Sequence, residues 1–249
     1  MMMRILRPLL VLVAQIAALL LMAEGSLPSK RGDSRLSILA GLTAYGVFIW
    51  LSSELLGLFG QLTFAALVVF WTLASLALLT VATRRRKLSV EDNGEASCDP
   101  ATVHARPSYA FCLPVTNSIL AVTVLLLIAL VAAPNNWDSM TYYLSKVMHW
   151  QQDQSLRFFP THILRQLHAG PFAEMAVLQL QILTGSDRLA NLVQVFGMLG
   201  SLVGVSYIAK MLDASVEGQA LDVLIAVATP KGTLQSTSTI VNPVKETVR

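Results

Sequence analysis

The sequence predicts an all-α, polytopic membrane protein, with about six transmembrane helices and two amphipathic interfacial helices in the first large outer loop. Three observations predict it. Hydrophobic residues make up 54% of the 249 and charged residues 13%, against roughly 25% charged in soluble domains. The apolar residues gather into runs of membrane-crossing length, and mean hydropathy is +0.60. Between two of these runs lies a long stretch that is polar and aromatic instead.

In chain order the runs cover residues 8–23, 36–60, 62–83, 116–133, 189–212 and 219–235. A hydrocarbon core of ~30 Å needs about 20 helical residues, and the first, fourth and sixth runs lie near the lower limit. No water reaches backbone groups inside a bilayer, so each run must be a helix that satisfies its own N–H and C=O groups. Arg4 and Arg7 before the first run would also suit a secretory signal. No clean small-residue cleavage site follows, so a membrane anchor is expected.

The cluster Arg84-Arg85-Arg86-Lys87 places the end of the third run in the cytoplasm. The turn at Gly60-Gln61 is then outside, the loop carrying Lys30, Arg31 and Arg35 is inside, and the fourth run emerges on the outer face. Residues 1–83 thus form three accessory spans and 84–115 a cytoplasmic polar linker punctuated by Pro100, Pro107 and Pro114. Residues 116–239 form the module that follows, and 240–249 a polar tail. Cys98 and Cys112 fall in the linker without metal-ligand spacing, and nothing supports a disulfide there. Formal net charge is +3, but the basic residues border apolar runs, which points to membrane lipid and away from nucleic acid. The plasma (inner) membrane is the expected location.

The outer loop, 134–188, is longer than a turn requires, and loops beyond about 12–15 residues are usually functional or disordered. It is too aromatic and amphipathic for disorder. Met140, Tyr143, Leu144, Val147 and Trp150 fall at i, i+3, i+4, i+7 and i+10, one apolar stripe on a helix over 138–150. Lys146, His149 and Asp153 lie off the stripe, which suits a helix lying flat in the interface. Residues 171–185 form a second amphipathic segment, too short to cross comfortably and laid in the interface as well. Residues 189–212 then run inward.

Within this loop Asp138 is either the N-cap of a helix starting at Ser139 or a functional carboxylate. His149, His162 and His168 are spaced by thirteen and six, which matches no usual zinc pattern, so no metal ligand is assigned, and a divalent-metal cofactor stays open without support from the sequence. Lys146, Arg157 and Arg165 suit phosphate, whether of membrane lipids or of a bound ligand.

The stretch Asn136-Trp137-Asp138-Ser139-Met140-Thr141-Tyr142-Tyr143-Leu144, continued by Val147-Met148-His149-Trp150, resembles a known membrane family. So do Phe159-Pro160-Thr161, Arg165-Gln166, Pro171-Phe172-Ala173-Glu174, and the run from Gly185 to Gln194. Together, in this order, they resemble multi-spanning glycosyltransferases of the GT-C fold related to the protein O-mannosyltransferases of family 39. The resemblance covers about half the chain, roughly residues 116–239.

It implies transfer of a sugar, with inversion, from a polyprenyl-phosphate donor to an acceptor hydroxyl at the outer membrane face. Asp138 would be the catalytic carboxylate, which fits the chemistry of a poor nucleophile needing a proton acceptor. Lys146, Arg157 and Arg165 would hold the donor phosphate and stabilise its charge as it leaves. The chain departs from the pattern at Tyr143, where the family has His, and at Ser145, where it has Pro. It has Asn242 where a second acidic residue is expected after the Ser236-Thr237-Ser238-Thr239 run. The expectation is therefore an N-terminal portion of such an enzyme, truncated and of doubtful activity alone. A non-catalytic membrane subunit that binds lipid or aids assembly is the alternative. A transporter is disfavoured because the spans hold few ionisable residues, Glu54 and Asp222 among them.

Overall fold

The computed structural model describes residues 34–91, 109–134, 137–168 and 170–230, and among them every regular element is helical. The elements are α1 (Ser34–Leu58), α2 (Phe64–Glu91), α3 (Tyr109–Val131), a π turn (Ser139–Tyr143), α4 (Leu144–Asp153), α5 (Arg165–His168), α6 (Phe172–Thr184), α7 (Asn191–Met211) and α8 (Val216–Ala228). Three helices are long and apolar enough to cross a membrane: Ser34–Leu58, Phe111–Val131 and Asn191–Met211. Along α3, Leu113, Ile119, Leu120, Leu127 and Val131 are exposed. Water would penalise such a continuous apolar face, and lipid would not. The expected run at 8–23 lies outside the described residues.

α1 and α7 run antiparallel. Leu39 and Leu42 of α1 meet Gly204 and Gly200 of α7, and Arg35 Nη1 donates to the Ser206 carbonyl at 2.9 Å. α7 is also antiparallel to α3. Asn191 Nδ2 donates to the Ala132 carbonyl at 2.9 Å, and Ala129 packs with Leu192 and Val195. α8 opens on Ser215, whose hydroxyl accepts from the Gly218 N–H as an N-cap. Its Gln219 Oε1 accepts from Arg35 at 2.7 Å, tying α8 to the start of α1.

Four expectations change. The basic cluster at 84–87 does not begin a loop, because α2 continues through it to Glu91. Arg and Lys are good helix formers, so charge can end a membrane span without ending a helix. α3 starts at Tyr109, ahead of the expected 116, with Pro114 inside it. The part of the 84–115 linker that remains, 92–108, lies outside the described residues. The sixth run gives α8, 13 residues that end at Ala228 and pack on α3 and α7, while residues 231–235 of that run lie outside the described residues.

The fourth change concerns α6, expected to lie flat in the interface. Phe172 sits against Gly46, where a Cβ would be 3.1 Å from its ring. Gln179 bonds to Ile49, Ser52 and Ser53, and Leu183 packs with Leu56. Both sequences ascend together, so α6 runs parallel to the second half of α1 and shares its tilt. Gly185, in the left-handed region at φ 70°, ends α6 by donating its N–H to the Gln181 carbonyl.

Gln179 fixes this arrangement. Its Nε2 donates to the Ile49 carbonyl at 3.0 Å and to the Ser52 and Ser53 hydroxyls at 2.7 and 2.9 Å. Its Oε1 accepts from Trp71 Nε1 of α2 at 3.1 Å. A polar side chain at 2% exposure is thereby fully bonded. Around it the main apolar core joins α1, α2, α4 and α6 through Ile49, Trp71, Val147, Trp150, Met175 and Leu178.

Candidate functional site

The site grows from the π turn. The Leu144 N–H donates to the Ser139 carbonyl, five residues back, which widens the turn by one residue. The extra residue shifts the phase of everything before it. Ser139, Tyr142 and Tyr143 are buried while Met140 is 60% exposed, so the stripe expected through Met140 is broken there. Widening also brings residues 142 and 143 together onto the face of Asp138, and their rings lie 4.5 Å apart.

Asp138 is not a helix cap. Its backbone is already helical, at φ −67° and ψ −40°, and its side chain makes no capping bond. The carboxylate, half-buried, instead accepts from the Tyr142 hydroxyl. Burial raises the Tyr142 pKa, and the hydrogen bond to Asp138 and its charge add to this. Donation from the Tyr143 hydroxyl opposes it, as does the positive charge of Arg165. Burial likewise raises Tyr143, with Tyr142 and Glu174 adding to it. Both phenols therefore stay protonated near neutral pH and remain donors.

Arg165 reaches this face from α5, which packs against the π turn, and its side chain is exposed. Gln166 beside it is only 5% exposed. Its Nε2 donates to the Thr141 carbonyl at 3.0 Å and the Ser145 hydroxyl at 3.1 Å, and its Oε1 accepts from the Thr161 hydroxyl at 2.6 Å.

Lys146 takes a different position from the other basic candidates. It points inward at 4% exposure, with Nζ 3.8 Å from Glu174 Oε1 and 4.8 Å from the centre of the Trp150 ring. Burial lowers the Lys146 pKa and raises that of Glu174, each being partly restored by the other's charge. The lysine expected off the apolar stripe is thus on the packed side, because α6 brings a carboxylate to meet it. Arg157 is exposed, between Leu156, which packs on Gly57, and Phe159, which stacks on His149 at 4.0 Å. The structure therefore sets Asp138 near Tyr142, with Arg165 on the short helix packed against the same turn, and turns Lys146 inward.

His162 is exposed, and among the described residues no group of three or more His, Cys, Asp or Glu could hold a metal. Tyr142, Tyr143, Gln166 and Glu174 drew no functional expectation from the sequence. The signals for them were an aspartate four residues before a tyrosine pair, and a lone carboxylate near the start of an apolar helix. Chemically, the arrangement offers a proton acceptor, phenolic donors fixed beside it, and an exposed guanidinium for an anion. Comparison with family models, curated proteins and solved structures gives no match.

Proposed function

We propose that this chain is a membrane glycosyltransferase, or the N-terminal part of one, that moves a sugar from a polyprenyl-phosphate donor to an acceptor hydroxyl at the outer membrane face. The observation that supports it most is half-buried Asp138 beside Tyr142 at the π turn, with exposed Arg165 on the short helix packed against that turn. The motif resemblance across residues 116–239 supplies the substrate class. In the reaction, the acceptor O–H bond breaks and its proton passes to Asp138. The freed oxygen pair forms the new bond to the anomeric carbon, and the bond from that carbon to the phosphate oxygen breaks, its electrons leaving with the lipid phosphate. Arg165 stabilises the charge that develops there. Lys146, buried against Glu174, leaves this role to Arg165 and, at a distance from the turn, Arg157.

The test is transfer by the whole chain in proteoliposomes carrying a polyprenyl-phosphate sugar. Arg165→Gln is expected to weaken donor use by about 10- to 100-fold, the usual worth of a hydrogen bond to a charged group, and Arg157→Gln to have less effect. Absence of transfer to any hydroxyl acceptor would overturn the reading of this chain as an enzyme active by itself, and failure to bind a polyprenyl phosphate would overturn the N-terminal-part reading as well. The site must also face outward. With Cys112 replaced by Ser, native Cys98 should resist an impermeant thiol reagent in intact cells. A cysteine at exposed Gln154, in a chain lacking Cys98 and Cys112, should react. The reverse pattern would put Asp138 on the wrong side for this chemistry.

A further inference from the structure

We propose that Gln166 is a positioning residue for this site, locking the π turn and seating Arg165 against it so that a phosphate anion is held there. The inference rests on the reading above. α5 has only four residues, and helices so short do not support themselves, so tertiary ties must set its place. Gln166 supplies three. It accepts from Thr161, whose hydroxyl is also braced by the Ile163 N–H at 3.1 Å, and it donates to Thr141 and Ser145. Thr141 immediately precedes Tyr142, and its own hydroxyl donates back to the Trp137 carbonyl. One side chain therefore connects loop, π turn and α4, and its neighbour in sequence, a single Cα step of about 3.8 Å away, is Arg165.

The chemistry of the position is narrow. At 5% exposure an unmet polar atom is costly, and the surroundings offer one donor, one carbonyl and one hydroxyl. A primary amide accepts and donates together, a carboxylate cannot donate, and a hydrocarbon does neither. Met140 on the outer face and Arg165 on the approach are exposed, so the clamp sits under the site without blocking it.

A double-mutant cycle separates positioning from plain stability. Binding of a polyprenyl phosphate to the full chain in nanodiscs should weaken about tenfold or more in Arg165→Gln, and by a similar factor in Gln166→Leu. The double variant should bind no worse than either single one, because both remove the same contact. Losses that multiply would overturn the proposal. Inorganic phosphate added in competition names the source of the anion. Displacement marks a site for free phosphate, and its failure marks a site that reads phosphate only on a lipid.

A ligand-free measurement decides the clamp even if no phosphate binds, in which case the functional reading fails separately. Hydrogen exchange across residues 161–168 should accelerate about tenfold in Gln166→Leu, with α7 unchanged. Unaltered exchange would overturn the proposal. Thr161→Val removes a single tie and, should Gln166→Leu misfold, must shift binding and exchange in the same direction by a smaller factor.

Discussion

On the proposed mechanism, Asp138→Asn is expected to lower sugar transfer by about 10²–10⁴-fold and to leave the fold intact, the loss that removal of a general base produces. The amide keeps nearly the same shape, and its Oδ1 can still accept from the Tyr142 hydroxyl. No helix cap is lost, because Asp138 makes no capping bond. What disappears is the ability to take the proton that the proposed mechanism assigns to Asp138. Tyr142 cannot substitute, since burial and the neighbouring carboxylate hold it as a protonated donor. Transfer rates in proteoliposomes, compared with thermal melting of the same preparations, check the result. Turnover near that of the native chain would remove Asp138 from the mechanism.

Lys146→Met has the second large effect, on stability rather than chemistry. Breaking a buried ion pair by removing one partner costs about 3–5 kcal/mol, because the other charge is left in a poor solvent. Both side chains are at most 5% exposed, so solvent does little to screen the loss. The cost should depend on pH. Burial raises Glu174 above its ordinary value of 4.5, and Lys146 pulls it down. A carboxyl raised in the folded state stabilises fully below its unfolded pKa and loses that contribution as pH rises through the folded one. Removing Lys146 raises the folded value further, so the variant should be nearer to native stability at about pH 5 than at about pH 8. Lys146→Met with Glu174→Gln should recover most of the loss at pH 8, since no charge remains buried. Denaturation midpoints in one detergent across that range test this. A single variant with no pH-dependent deficit would show that the pair carries no net charge interaction.

The spans at 36–60 and 189–212 were legible to within two residues, α1 being Ser34–Leu58 and α7 Asn191–Met211. A helix facing lipid needs no partner, so its own residues suffice to define it. Asp138 and Arg165 were legible as residue types in a loop too elaborate for a turn. The phase of 138–150 was not, because periodicity assumes one helical repeat and the π turn inserts a residue. Nor was the placing of α6. Glu174, Gln179 and Gln181 argue for water when read alone. Their partners, Lys146, the Ser52 and Ser53 hydroxyls with Trp71, and Met148, lie far away in sequence and offset that argument in three dimensions, fully for Gln179 and in part for Glu174 and Gln181, whose carboxylate oxygens and Oε1 make no hydrogen bond among the described residues. The cost of a buried polar group is a property of the pair, and a single sequence shows one member at a time.

The bonds of Gln179 also set a clock for biosynthesis. Ser52 and Gln179 are 127 residues apart, so at about 5–20 residues per second α1 waits roughly 6–25 s for α6 to be made. α1 can wait safely, because Ser52 also donates to its own Ile49 carbonyl at 3.0 Å and needs no partner to enter lipid. Gln179 has no such local recourse. α6 therefore docks late, onto a hairpin already in place, and a ribosome stalled before codon 179 leaves Trp71 with an indole N–H unmet. A nascent chain in that state presents an unpaired indole N–H, the kind of defect that marks an unfinished protein for degradation.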